Sequence, residues 1–390
     1  MTPSARVQSA IELLDRVIEA ANAQGAPADR ILADWFKGHR FAGSKDRRAI
    51  RELVYGAIRA CGPIPQSGRA AMLRAAEADT VLLPLFDGSQ YGPAQVAPEE
   101  PIADGGVAPD WLERRLTDSG VTAEQAAALL DRAPLDIRVN ALKAERATIA
   151  LPEAGEPTAA PNGLRFPPGL PVEQWDAWRE GLFEVQDTGS QIACLAVGAQ
   201  PGETVVDLCA GGGGKTLALA ADMRNQGRLI ASDTDRQRLS RLAPRAQRAG
   251  TSVVETRLLD PGREMEALQD LAGSVDAVIV DAPCSGTGTW RRNPEARWRL
   301  TPEALGRLAA TQAHVLDLAA ALVKPGGRIV YVVCSLLDEE GAGQFDGFLA
   351  RHPDLAARPL ALPLGSERGK GMRLTPLSDG TDGFFIACAA

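Results

Sequence analysis

The chain has 390 residues, enough for two or three domains with ample core. At 45% hydrophobic and 24% charged residues the composition is globular, and no run approaches the ~18 uninterrupted apolar residues of a membrane span. A net charge of −8 argues against indiscriminate nucleic-acid binding, and six cysteines with no CxxC pair beside only three histidines argue against a zinc site or a disulfide framework.

The N-terminus, "MTPSARVQSAIELLDRV", has no apolar leader core and reads as an amphipathic helix, which implies a cytoplasmic protein. Helical spacing continues to about residue 60 through "DRRAIRELVYGAIRA". From Cys61 to Pro109 the pattern loosens, and the Pro- and Gly-rich "YGPAQVAPEEPIADGGVAPD" reads as a linker. Two short helices follow over 110–133, then a strand at 135–142 and some forty irregular residues. Beyond residue 181, short apolar β-rich runs alternate with helical segments: 203–210, 228–233, 252–260, 275–283, 327–335 and 382–390. Nearly continuous apolar strands alternating with helices predict a doubly wound α/β sheet covered on both faces. The expected parts are 1–105, 110–180 and 181–390.

Charge is concentrated in three runs. Residues 37–51 hold six Lys/Arg against one Asp, 236–248 hold five Arg and no acid, and 291–299 hold four Arg and one Glu. Charge runs are more often solvated faces, but three of them in an acidic chain favour local phosphate contacts.

"DLCAGGGGKT" (207–216) sits between the first strand of the α/β region and its helix, where a ligand can approach the backbone. One reading is a phosphate loop, with Gly214-Lys215-Thr216 in place but Cys209 where the leading glycine belongs. The other is a nucleoside cofactor held by its ribose, with Asp233 at the end of the second strand as the hydroxyl acceptor. S-adenosylmethionine needs that carboxylate and no phosphate cage. A single acid at Asp233 also suits a helix N-cap.

"DAPCSGTGTW" (281–290) and "YVVCS" (331–335) place Asp281, Cys284 and Cys334 where two strands end. Ligands bind at that end of such sheets, and neighbouring strands lie roughly 5 Å apart, so both thiols can face one crevice. A lone cysteine is by default a small buried hydrophobe. Paired thiols beside a cofactor suit methylation at carbon 5 of a pyrimidine, a poor nucleophile until a thiolate adds to carbon 6. A base must then remove the carbon-5 proton, Asp281 is placed to bond the pyrimidine nitrogens, and a paired target must first leave its stack. This chemistry does not say which cysteine attacks.

With "VQDTGSQ" (185–191), "DLCAGGGGKT", "DAPCSGTGTWRRNPEARW" (281–298), "YVVCSLLDEE" (331–340) and "DGTDGFF" (379–385), the last 210 or so residues resemble the RsmB/NOP2/Sun family of RNA cytosine-5 methyltransferases. The resemblance implies a Rossmann-like class I methyltransferase domain with a mixed seven-stranded sheet. It implies S-adenosylmethionine held by Cys209, Ala210, Gly211, Gly212, Gly213, Gly214, Lys215, Asp233, Asp260 and Asp281. It implies Cys334 as nucleophile, Cys284 as the thiol assisting release, Asp281 and Lys215 as further catalytic groups, and no metal. The sequence departs from the family at "AGGGG", at Val333 and at Gly341, none of which removes a catalytic group. The N-terminal helices resemble an all-α NusB-like RNA-binding domain, and residues 110–180 a small α+β RNA-binding segment. Ribosomal RNA of the small subunit is the implied partner, with the chain acting as a monomer. A nucleotide hydrolase and a non-catalytic RNA assembly factor are the competing readings.

Overall fold

Helices over Pro3–Asn22, Ala28–Gly38, Ser44–Ala60 and Gly68–Ala78 begin the chain, which the computed structural model describes from residue 1 to 390. The first starts with Pro3 after Thr2, whose hydroxyl accepts the Ala5 N–H at 3.2 Å. Its inner face, Val7, Ala10, Ile11, Leu14, Val17 and Ile18, is buried at the spacing of one helix face. Gly68 opens the fourth helix because a Cβ there would lie 2.2 Å from the Ile11 carbonyl oxygen. That helix buries Ala70, Ala71, Met72 and Leu73 in a stretch where the sequence showed only a loosened pattern. Alanines carry little hydrophobic contrast, so periodicity missed it.

The expected linker is pinned down rather than free. Arg69 donates to the Ala94 carbonyl at 3.0 Å and the Gln95 carbonyl at 3.3 Å, and pairs with Glu100. Arg74 donates to the Ala103 carbonyl at 2.6 Å, and the Ala103 amide returns a bond to Ala70. Two arginines thus satisfy backbone that a Pro-rich segment cannot pair with itself.

Two compact units result, and they are not consecutive in sequence. One holds Met1–Asp131 with Thr289–Thr301; the other holds Arg132–Gly288 with Pro302–Ala390. In the second unit the stretch expected to be irregular forms a four-stranded sheet. Leu135–Val139 pairs antiparallel with Gly163–Phe166 on one side and Phe183–Val185 on the other, and Glu156–Pro157 lies at the edge. Ile137, Val139, Leu164, Phe166 and Phe183 are its buried core.

The larger sheet has seven principal strands: β1 Thr204–Asp207, β2 Arg228–Asp233, β3 Val254–Leu258, β4 Val275–Asp281, β5 Val323–Val333, β6 Gly371–Leu374 and β7 Phe384–Ala389. Their order is β3-β2-β1-β4-β5-β7-β6, with β1 through β5 parallel and β7 antiparallel to both of its neighbours. Short strands at Ala357–Arg358 and Ser366–Arg368 raise the count to nine, two more than expected. Val278, Ile279 and Val280 of β4 and Val330, Tyr331 and Val332 of β5 have no exposure, as a sheet covered on both faces demands. Strand order reverses between β1 and β4, which opens a crevice at the carboxyl ends of the strands.

Candidate active site

The Gly-rich turn leaves β1 at Asp207 and enters the helix Gly214–Asp222. It is held down where the Ala210 amide donates to Ser232 of β2 at 2.9 Å. Gly213 has φ +84°, and a Cβ there would stand 2.1 Å from Leu242, so only glycine fits. Asp233 closes the turn from β2: its carboxylate accepts the Gly211 amide and the Asp235 amide, both at 2.7 Å. The turn therefore wraps one wall of a cleft of about 1020 Å³ lined by Cys209, Ala210, Gly211, Gly212, Gly214, Lys215, Asp233, Asp281, Cys284 and Cys334.

Of the sequence-nominated residues, Gly213 supports the turn without lining the cleft. Asp260 is exposed, and the cleft is lined there by its neighbours Leu259, Pro261 and Gly262. Asp207, which sequence reasoning passed over, is fully buried in the cleft wall. One of its carboxylate oxygens accepts from the Thr216 hydroxyl at 2.7 Å, and the other has no partner. Burial pushes this carboxyl up to about 7 against the opposing pull of Thr216. Its place as the last residue of β1, just before the turn, was the available signal.

Lys215 reaches across from the helix start to Asp281 at the end of β4, Nζ to Oδ2 2.7 Å. Burial opposes its charge, yet Asp281 outweighs burial and holds the ammonium above its ordinary range. The Lys215 ammonium also lies 5.7 Å from the Phe384 ring centroid. This pair lines the same cleft as the two thiols.

Register explains how those thiols meet. Asp281 of β4 is paired with Val332 of β5, so Cys284 and Cys334 emerge past the same edge of adjacent strands. Their sulfurs are 3.3 Å apart, unbonded, and both line the cleft. The contact with Cys334, together with burial, pushes the Cys284 thiol well above the ordinary range. Burial, with Asp207, Asp281 and Asp233 nearby, does the same to Cys209, the third thiol of the cleft.

The loops that carry the pair are stitched together by residues the sequence did not single out. Thr287 and Ser335 hydroxyls lie 3.0 Å apart, Ser285 and Ser335 hydroxyls 3.2 Å apart, and the Leu336 amide donates to Thr287 at 2.9 Å. The Gly288 amide donates to the Cys334 carbonyl at 3.0 Å. Gly288 in turn lies against Gly383, where a Cβ on either would meet the other's backbone within 2.8 Å. That close approach accounts for glycines in both "GTGT" and "TDGF".

Residues 194–389 match the family described as 16S rRNA methyltransferase RsmB/F. The chain belongs to that family. It is 36% identical over 299 residues to a probable ribosomal RNA small subunit methyltransferase B of Synechocystis, taking in 72% of this chain and 66% of that protein. It is 33% identical to ribosomal RNA small subunit methyltransferase B of Xanthomonas campestris over 73% and 67%. The chain thus spans about two thirds of the length of these relatives. In fold it is similar to the crystal structure of PH0851, with a TM-score of 0.74 over 100% of this chain and 99% of that one at 24% identity. The Rossmann-like class I methyltransferase sheet expected from the sequence is the fold observed.

Within this RsmB/F member the arginine runs fare differently from the expectation of three phosphate-contact patches. In 236–248, Arg245 and Arg248 both pair with buried Glu184, and Arg248 lies 3.9 Å over the Trp178 ring. Arg236, Arg238 and Arg241 remain exposed, Arg238 at the cleft. In 291–299, Arg297 is fully buried and Arg299 donates to the carbonyls of Gly25 and Ala26 at 2.9 and 2.7 Å. These arginines serve backbone carbonyls, because a guanidinium with five donors satisfies several helix-end acceptors at once.

Proposed function

We propose that this chain transfers a methyl group from S-adenosylmethionine to carbon 5 of a cytidine in small-subunit ribosomal RNA, through a covalent bond between Cys334 and the base. The observation that carries the reading is the contact of the Cys284 and Cys334 sulfurs in one cleft that the Lys215–Asp281 pair also lines. Methylation of oxygen or of an exocyclic nitrogen has no use for two thiols; methylation of carbon 5 does.

The residues fit the cofactor. Asp233 stands at the end of β2 for ribose hydroxyls, and the turn from Cys209 to Lys215 leaves backbone open to the cleft. The unpartnered oxygen of Asp207 suits a cationic amino group, which would relieve the cost of its burial. When bound, S-adenosylmethionine supplies an electrophilic methyl group.

The protein's own residues do the rest. The Cys334 thiolate adds to carbon 6, and the ring's electrons pass to carbon 5. Asp281, partly exposed at the cleft and fixed by Lys215, bonds the ring nitrogens and stabilises the adduct. After methylation a base takes the carbon-5 proton, the double bond re-forms and Cys334 leaves, with Cys284 the thiol in contact with it at that step. The contact with Cys334, together with burial, pushes the Cys284 thiol up, which disfavours it as the attacking thiolate. RNA would be held by the N-terminal helices, read as a NusB-like domain, where Arg40, Lys45 and Arg48 are exposed.

Incubation with labelled methyl donor and small-subunit ribosomal RNA should place label on carbon 5 of a cytidine; nucleotide hydrolysis without methyl transfer overturns the reading. Cys284→Ala should accumulate an RNA–protein adduct on a denaturing gel, and Cys334→Ala should not. The opposite pattern would exchange the two roles.

A further inference from the structure

Glu340 lies six residues past Cys334 and has no exposure at all. No lysine or arginine pairs with it. One carboxylate oxygen accepts the Ser285 amide at 2.8 Å and the side-chain amide of Gln312 at 2.9 Å; the other accepts the Ser285 hydroxyl. Gln312 also donates to the Pro283 carbonyl at 2.9 Å. Residues 283 and 285, the immediate neighbours of Cys284, are therefore both tied, directly or through Gln312, to one buried carboxylate. The Glu340 backbone is itself fixed, since the Tyr331 hydroxyl donates to its carbonyl at 2.5 Å.

We infer that Glu340 is a positioning residue for the thiol pair: it sets the Cys284 loop and keeps the shared hydrogen on Cys284, leaving the Cys334 sulfur as the acceptor. Three donors and no acceptor face this carboxyl group, the surroundings of a carboxylate, and a carboxylate hydrogen-bonded to the residue after Cys284 opposes negative charge on that thiol. Among the other titratable groups near the pair, Lys215 and Asp281 neutralise each other, and Cys209 and the Tyr331 phenol are held in their neutral forms by burial. His314 at the cleft pairs with Glu264, and Asp338 pairs with Arg368 and Arg373. Asp207 shares the cleft but is bonded to Thr216, whereas Glu340 is the carboxylate hydrogen-bonded to the loop that carries Cys284.

This deepens the proposed reaction and rests on it for its purpose, but its test needs neither RNA nor methyl donor. Alkylation by iodoacetamide, followed residue by residue with mass spectrometry across pH, should modify Cys334 before Cys284 in the unaltered protein. Glu340→Gln keeps the shape and can keep all three hydrogen bonds. It should displace the Cys284 profile toward lower pH by about one unit, about tenfold faster modification at neutral pH. Ser285→Ala, which cuts a tether and leaves the carboxylate, should leave the profile in place. Cys284 reacting first in the unaltered protein, an unmoved profile in Glu340→Gln, or an equal displacement in Ser285→Ala each overturns the inference. Loss of methyl transfer with the predicted alkylation order would instead count against the proposed reaction alone.

Discussion

Two basic stretches of the helical unit, 291–299 and 37–51, each set several Lys or Arg residues against a single acid and meet opposite fates. In the first, Arg297 donates to the Ile58 and Cys61 carbonyls at the end of one helix, each at 2.6 Å, and Arg299 donates to carbonyls just past the end of another. Glu295 accepts the Ala28 amide at the start of a third, and the Trp298 indole donates to Gly62. The segment caps three helix termini with side chains of the matching sign. In the second, Arg40, Lys45 and Arg48 project into solvent, while Arg47 and Arg51 lie against the Phe36 ring. The difference shows that an arginine's partner is decided by which acceptors the fold leaves unsatisfied.

That contrast can be broken at either end. The largest effect is expected at Arg297→Met, which strands two helix-end carbonyls in a fully buried place. Chemical denaturation should show a loss of about 3 kcal/mol or more, and an unchanged midpoint would mean the guanidinium is not what holds those carbonyls. Trp298→Phe keeps the ring's burial and removes one hydrogen bond, so about 1 kcal/mol should be lost. Smallest in stability is the triple change of Arg40, Lys45 and Arg48 to Gln, expected to move the denaturation midpoint by less than about 0.5 kcal/mol. The same triple variant should flatten the dependence of RNA affinity on salt by roughly two to three phosphate contacts. A salt slope equal to the parent's would make this run a solvated face after all.

The cleft was more legible than the charge. Strand–helix alternation placed Cys284 and Cys334 at strand ends; adjacency of β4 and β5 allows them to meet, and the loops beyond the strands bring the sulfurs to 3.3 Å. Asp233 and Lys215 were legible for the same reason, being tied to the ends of short elements. The supports were not. Gln312 and Glu340 reach the Cys284 loop from a helix and a loop far along the chain; no local pattern marks Gln312, and the motif that ends at Glu340 does not show what its carboxylate holds. Nor did spacing show that the Asp260 side chain would lie outside the cleft while its neighbours line it.

By itself, then, the order of residues determined the alternating sheet, its glycine turn and the two thiols at strand ends, because these depend on periodicity and on backbone geometry that only certain residues permit. Tertiary structure alone decided which donors face which acceptors. It turned one arginine run into helix caps and left another in water, and it made a lone buried carboxylate the neighbour of the thiol pair. Hydrogen-bond satisfaction is settled only once distant segments are packed together.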